Sequence, residues 1–472
     1  IIEEKGLRPV VLFTPEAKSI VNSTGLYISS LPEKPYYPDF QYFSDSSYLF
    51  RESKKKIKSY KKIDEHKYTL KLNIPGTNIS VPEIILYKGE NYYLEFNEKL
   101  IPLLDKKWSE WNTIKIRENN TDKHLLISFY LKKRKKNIEI YISPLVLDPF
   151  YERSISNDPL YLEEIKNKFG MINLTSRMGY LPEYYSNIPK TIITEFIQRD
   201  LRKKIEIFTD ILKKEKFHLL WIDIEDLMTE VYLNTTAKNG LLSELEKLFG
   251  EINDYKVDNT VTFLYSSLSR KIFPSQINVN RFLINKGYMV LARKEEREKE
   301  KTSIVGFSGI NWSRTKAYAV NNNIYVNLIG REKNGIIKEG KEYDKLIKNL
   351  RWVLKNWYDT TRECFVVENV YYGRDIYSGI FTSQRPDLIL GLNKGYSISG
   401  KSAKGIIAPV FTTLYGNKNT GVYSTDMTIE KGSLFINLKA GENNDVKNVD
   451  IVPAILKILG IYRTDIDGKP IY

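Results

Sequence analysis

Ile310-Asn-Trp-Ser-Arg-Thr-Lys-Ala-Tyr-Ala-Val-Asn-Asn-Asn-Ile-Tyr-Val-Asn-Leu-Ile-Gly-Arg-Glu332 is the stretch whose reading decides the fold. Its centre, residues 324–329, is a β-branched and aromatic run bounded upstream by asparagines and closed by Gly330-Arg331-Glu332. Such a run between turn residues predicts a strand. A strand that stops at a glycine followed by two charged residues sets those side chains at the rim of a sheet, where α/β folds keep their ligand crevices.

Working outward, the flanking residues predict helices and strands in alternation. Toward the C-terminus, residues 343–357 read as a helix, 364–370 and 387–390 as strands, and 451–459 as a last helix. Asp450 is its expected N-cap, and Pro453 is tolerated in its first turn. Toward the N-terminus, residues 8–13 read as a buried strand and 161–169 as a helix ended by Gly170. Residues 195–215 form a long amphipathic helix, with Phe196, Leu201, Ile205, Phe208 and Leu212 at helical spacing. Residues 217–224 are almost continuously apolar, as in a central strand buried on both faces. Residues 241–249 predict a helix stopping at Gly250, and 261–265 a second buried strand. The fold class this implies is α/β: a mostly parallel central sheet with helices on both faces.

One segment breaks the alternation. Residues 46–145 carry short alternating runs separated by turn signals such as Pro75-Gly76 and Lys88-Gly89, which predict an inserted all-β domain. The expected organisation is therefore 1–45 as the start of the α/β core, 46–145 as the insertion and 146–472 as the rest of the core. The chain opens Ile-Ile-Glu-Glu without a methionine or a signal-peptide pattern, so it reads as cytoplasmic and as the continuation of a core begun upstream. No run of eighteen or more apolar residues is present, which excludes a spanning helix read from hydropathy.

Charge narrows the classes further. The 72 basic residues exceed the 58 acidic ones, giving a net charge of +14. Part of the excess lies in two runs, Lys54 to Lys62 and Lys132 to Lys136. Such runs bind nucleic acid or other polyanions, or serve as solvated strand edges that discourage edge-to-edge pairing. Cys364 is the single cysteine, so no intrachain disulfide or thiolate metal cluster can form, and it reads as a small apolar residue at a strand start. Histidine is scarce: His66, His124 and His218 are all there are.

Several motifs together resemble a known family. Asn311 to Ala319, Ile324 to Glu332, Gly335-Ile-Ile, Pro386-Asp387-Leu-Ile-Leu, Asp450 to Gly460 and Asp467-Gly-Lys-Pro resemble, in order and spacing, the type I phosphodiesterase/nucleotide pyrophosphatase branch of the alkaline phosphatase superfamily. Trp108-Ser-Glu-Trp111 and Tyr141-Ile-Ser-Pro144 resemble the β insertion of some archaeal and bacterial members. The resemblance implies an alkaline-phosphatase-like sheet, two metal ions held by aspartates and histidines at strand ends, and a threonine or serine nucleophile. Two metals suit that chemistry because one activates the nucleophile while the other steadies the leaving oxygen.

The ligand motifs that the resemblance places on this chain are degenerate. Asp-x-x-x-His reads Asp226-Leu-Met-Thr-Glu230 here. Ser-Asp-His-Gly reads Ser266-Ser267-Leu268-Ser269, and Ser-Gly-x-His reads Ser424-Thr425-Asp426-Met427. Leucine has no donor, and a thioether suits softer ions than zinc. His66 and His124 fall in the insertion, and His218 opens a buried strand as an expected core histidine. A reduced site remains conceivable on paper: Asp226 and Glu230 share one helix face at i and i+4, and Asp426 would complete a carboxylate set for a divalent cation such as zinc, magnesium or manganese. Arg331 is the candidate contact for a substrate phosphate, or else an ion-pair partner of Glu332 or another carboxylate. The leading expectation is a phosphodiesterase-like protein that has lost catalysis and serves as a binding or structural component. Its rivals are a metal-dependent phosphodiesterase with the carboxylate site and a polyanion-binding module using the lysine runs.

Overall fold

A computed structural model describes residues 1–15, 23–30, 41–44, 60–62, 66–70, 79–80, 84–96, 99–118, 121–133, 138–151, 155–174, 188–224, 241–255, 260–266, 275–292, 309–379, 381–398, 410–413, 432–438 and 446–471. The chain divides into two compact units, one of Ile1–Val261 with Asn437–Tyr472 and the other of Thr262–Ile436.

In the first unit, strand β1 (Pro9–Pro15) pairs in parallel with β2 (Leu26–Ser30). Val10 and Leu12 are fully buried, and Phe13 takes a positive φ of 62° where the register with β2 slips. That slip is a bulge, which bends the strand beyond Leu12. Strands are the only regular elements among the described residues between 41 and 147. Tyr60–Lys62, Lys67–Leu70, Ile84–Lys88, Tyr92–Phe96 and Lys99–Leu103 form a five-stranded antiparallel meander, and two four-stranded antiparallel sheets lie in the same segment. Beyond it, helix α1 (Pro159–Phe169) starts where the Asp158 carboxylate accepts the backbone N–H groups of Leu160 and Tyr161, and it ends at Gly170. Helix α2 (Lys190–Lys214) buries Ile193, Phe196, Ile197, Leu201, Phe208 and Ile211, a stripe at helical spacing. Strand β3 (Leu219–Ile222) then pairs in parallel with β1. Helix α3 (Leu241–Asp254) runs through Gly250 instead of stopping there, because one helical glycine costs only about 1 kcal/mol and the apolar stripe continues past it.

The Trp108-Ser-Glu-Trp111 motif fastens the β segment to α2. Trp108 Nε1 donates to the Ile192 carbonyl at 2.9 Å, and Trp111 Nε1 donates to Asp200 Oδ1 at 2.9 Å. Both indole rings pack on Phe196, at 4.9 and 5.4 Å between centroids. Asp200, almost fully buried, also accepts from Arg199 Nε and Nη2 and from Asn173 Nδ2. Arg199 Nη1 reaches the Ser109 carbonyl and the Ser128 hydroxyl.

In the second unit, helix α4 (Val279–Asn285) is capped by the Asn278 side chain, which accepts the Arg281 N–H. Strands β4 (Ala317–Val320) and β5 (Asn323–Val326) form a hairpin across Asn321-Asn322, with Asn321 at φ +56°. Asparagine tolerates that left-handed conformation, which a two-residue hairpin turn requires. Helix α5 (Lys341–Lys355) follows, then the two-stranded ribbon of β6 (Tyr358–Asp359) and β7 (Cys364–Phe365). Strand β8 (Val367–Tyr372) and strand β9 (Leu388–Leu392) complete an antiparallel sheet in the order β4-β5-β9-β8.

The expected α/β class, with its alkaline-phosphatase-like central parallel sheet, is overturned by this topology. Among the described residues, parallel ladders are limited to β1 with β2, β1 with β3, and Ser275–Ile277 with Tyr396–Ile398. The remaining ladders are antiparallel, and the largest sheet is the five-stranded meander. Two expected strands also differ in kind. Residues 217–224 yield β3, which is half-buried, not a strand buried on both faces. Residues 261–265 yield Phe263–Ser266, which pairs antiparallel with Ser433–Ile436 and exposes Leu264 and Tyr265. Apolar runs mark a strand but carry no information on its partner or direction, and short turns such as Asn321-Asn322 return the chain antiparallel.

Asp200→Ala removes the acceptor shared by Arg199, Trp111 and Asn173 and strands a half-buried guanidinium. The expected loss of stability is about 3–5 kcal/mol, read as a lower urea midpoint followed by tryptophan fluorescence.

Candidate functional site

The opening stretch of the sequence builds a polar latch at the end of the second unit's sheet. Its first member is Asn327, fully buried directly after β5. The Asn327 side-chain NH2 donates to the carbonyls of Trp312, Thr315 and Asn334 at 2.9–3.0 Å, and the Asn327 backbone carbonyl accepts the N–H groups of Ile336 and Ile337. One asparagine thus closes the loop on both sides. Gly330, at φ +87°, turns the chain. Gly335 must lack a side chain, since a Cβ there would sit 2.2 Å from the Leu328 carbonyl oxygen.

That loop presents Arg331 inward. Its side chain is 18% exposed and forks onto the carboxylate of Asp387, with Nη1 to Oδ1 at 3.1 Å and Nη2 to Oδ2 at 2.6 Å. Nη2 also donates to the Val326 carbonyl at 2.6 Å, and Nε to Glu332 Oε1 at 3.2 Å. Asp387 accepts two further bonds, from the Tyr343 hydroxyl at 2.7 Å and from the Val326 N–H at 2.6 Å. The Tyr318 hydroxyl donates to Glu332 at 3.1 Å, and Tyr318 stacks on Tyr325, above which the guanidinium lies at 5.7 Å.

Burial works against the charge on Arg331, yet the hydrogen bonds and charge of Asp387, with Glu332 behind, hold its pKa above the ordinary value. Burial also pushes the hydroxyl pKa of Tyr343 well up, helped by the Asp387 carboxylate it bonds. Burial does the same at Tyr318, beside Glu332. Both tyrosines therefore stay neutral donors through the physiological range.

Arg331, for which the sequence offers both a phosphate contact and, in preference, an ion pair with Glu332 or another carboxylate, is the cationic half of an internal ion pair. Sequence reasoning paired it with Glu332 or an unnamed carboxylate. It missed Asp387, Tyr343 and Tyr318 as its companions. Pro386-Asp387 was legible as a motif, and an aspartate opening an all-apolar strand was the signal of a specific partner.

A second polar cluster lies below the β6–β7 ribbon. Fully buried Tyr396 donates to Asp359 Oδ2 at 2.8 Å, and the Cys364 thiol is 3.2 Å from the same hydroxyl. Burial, and then the hydrogen bonds to Cys364 and Asp359, raise the Tyr396 pKa far above the ordinary range. Cys364 sits at the start of β7 as expected, half-buried and in polar company.

The three expected carboxylate ligands, Asp226, Glu230 and Asp426, lie outside the described residues, as do Ser267, Leu268 and Met427. Among the described residues, no group of three or more His, Cys, Asp or Glu side chains is placed to hold a metal ion. His66 is exposed with Nδ1 3.0 Å from the Lys88 carbonyl, and His124 stacks on Tyr151. His218 is exposed, not the expected core histidine. It precedes β3, where its Nδ1 accepts the Arg8 backbone N–H and its backbone N–H donates to the Arg8 carbonyl. Of the lysine runs, Lys132 and Lys133 lie on the strand Phe129–Lys133, and Lys133 Nζ is 4.7 Å from the Tyr92 ring centre. Lys61 and Lys62 lie on Tyr60–Lys62, while residues 54–58 and 134–136 are outside the described set.

No protein-family model, curated protein or solved structure matches the chain.

Asp387→Ala leaves Arg331 buried without its fork and is expected to destabilise by about 3–5 kcal/mol, read as a lower urea midpoint. The tyrosines give a pH signature with a definite sign. A hydroxyl whose folded pKa is raised contributes stability that is complete below the unfolded value near 10 and is lost as pH rises through the folded value. Urea unfolding between about pH 9 and about pH 11 should show stability falling only in the upper part of that range, with a shallower fall in Tyr343→Phe.

Proposed function

We propose that this chain works as a binding or structural component and not as a phosphodiester hydrolase. The observation that carries this reading is the closure of Arg331 on Asp387 and Glu332. A phosphate-binding arginine needs its fork free for the ligand, because bidentate recognition uses the same donors that a carboxylate would take. Here both terminal nitrogens are engaged by Asp387, and the carbonyl of Val326 takes a further bond. Opening the pair to admit a phosphate would leave the Asp387 carboxylate buried without its cation, a cost that a substrate phosphate has no means to offset. Motif stretches that resemble the phosphodiesterases thus act as fasteners within one sheet. The ligand positions expected of a two-metal site also carry glutamate, leucine and methionine where imidazoles are needed, at Glu230, Leu268 and Met427.

The test is direct. The full chain, incubated with bis-p-nitrophenyl phosphate and zinc, manganese or magnesium, is expected to release no nitrophenol above the metal blank. Metal-dependent turnover that disappears in Asp226→Ala would overturn the reading in favour of a reduced carboxylate site.

A further inference from the structure

The outward side of helix α5 carries a stripe that the core does not use. Ile347, Leu350 and Leu354 face inward and are buried. Lys341, Lys345, Lys348, Trp352 and Lys355 follow one another at spacings of four, three, four and three residues, and all five are exposed. Residues so spaced line one helix face. At 1.5 Å per residue the stripe is about 21 Å long. Trp352 is 66% exposed within it, a large apolar ring left in water among lysines. The acidic residues of the helix, Glu342 and Asp344, are confined to its first turn.

The β6–β7 ribbon begins three residues past the helix end and carries exposed rings of its own. Tyr358 and Phe365 are directly opposed across it, their rings 5.2 Å apart and edge to face, at 45% and 48% exposure. Alternation sends the other pair, Asp359 and Cys364, inward to Tyr396. The ribbon is pinned from beneath. Asp359 Oδ1 accepts the N–H groups of Thr361 and Arg362, and Arg362 Nη1 donates to the Ser275 hydroxyl and the Gly395 carbonyl. Glu363, at the ribbon's turn with φ +52°, is the ribbon's exposed acidic side chain, Asp359 being buried. Buried Trp357, stacked on Phe282 at 3.9 Å, fixes the junction between helix and ribbon.

We infer that this face of the second unit, from Lys341 to Phe365, binds single-stranded nucleic acid. Lysines in a row neutralise successive phosphates, and exposed aromatic rings on a rigid support stack unpaired bases without regard to sequence. A duplex keeps its bases inside and would engage only the lysines. An acidic protein would likewise leave three exposed aromatic rings without a stacking partner. The inference gives the binding reading above a surface and a partner. Turnover of a phosphodiester would sink that earlier reading and leave this one standing, so the two fail separately.

Fluorescence anisotropy of the full chain with a labelled single-stranded oligonucleotide tests it, with duplex, heparin and polyglutamate as comparison arms. Binding to the single strand should weaken steeply with salt. Trp352→Ala should weaken it about ten-fold while leaving the melting temperature unchanged, as befits an exposed side chain. Lys345→Gln with Lys348→Gln should lower the slope of log affinity against log salt by about two. Absence of binding at low salt would overturn the inference. So would equal affinity in the Trp352 and lysine variants, or loss of binding in Lys132→Gln with Lys133→Gln instead. Heparin or polyglutamate bound as tightly as the single strand, with no dependence on Trp352, would also overturn it.

Discussion

The sheet of the second unit is fastened by the buried carboxylate of Asp387. Asp387 ties β5 to β9 by accepting the Val326 N–H, ties helix α5 to the sheet through the Tyr343 hydroxyl, and ties the following loop through the Arg331 fork. A buried charge persists only when paired and fully hydrogen-bonded, so each of these partners constrains the others. Without the cation, the carboxylate would be an uncompensated charge at a sheet end. Without the carboxylate, the loop of Gly330 to Gly335 would bring a guanidinium to a site with nothing to receive it. The latch therefore fixes where the opening stretch of sequence lies, and it also accounts for what Arg331 is not free to do.

Asp200 plays the equivalent part in the first unit. There the carboxylate collects Trp111, Asn173 and Arg199 against helix α2. Among the described residues, both units rest on small, mostly antiparallel sheets, whose strand ends present polar backbone groups that need partners. Buried carboxylates with three or more donors satisfy those ends and set a register that apolar packing alone leaves loose. The same logic supports the ribbon of β6 and β7, where the Asp359–Tyr396 bond below leaves Tyr358 and Phe365 standing in solvent above.

Much of the local structure was legible in the residues. Helix α2 follows from its apolar spacing, α1 from its terminal Gly170, and α5 was expected over 343–357, while the Asp158 cap that starts α1 two residues earlier than expected was not read. The strands of the β segment follow from alternation, as at Tyr92–Phe96 and Ile138–Ile142. Asp450 holds the expected N-cap position of the last helix, Ile451–Ile458, but its carboxylate makes no capping bond and instead accepts the N–H groups of Lys447 and Lys469. The candidate site was half legible. Arg331 stood out, and an ion pair was among its readings, but Asp387 lies 56 residues away and no spacing rule links them.

The sequence by itself determined which segments extend and which coil, because the 2.0 and 3.6 periods of apolar residues are local properties. It also showed glutamate, leucine and methionine at Glu230, Leu268 and Met427, where the motifs it resembles carry histidine. Only the tertiary structure decided which strands meet and in which direction, and so replaced an expected parallel sheet with small antiparallel ones. It alone joined Arg331 to Asp387 and turned Trp352, Tyr358 and Phe365 outward. The reason is physical: partner and direction follow from long-range pairing, where chain-closure entropy, desolvation of charge and the packing of whole faces compete, and no window of neighbouring residues contains those energies.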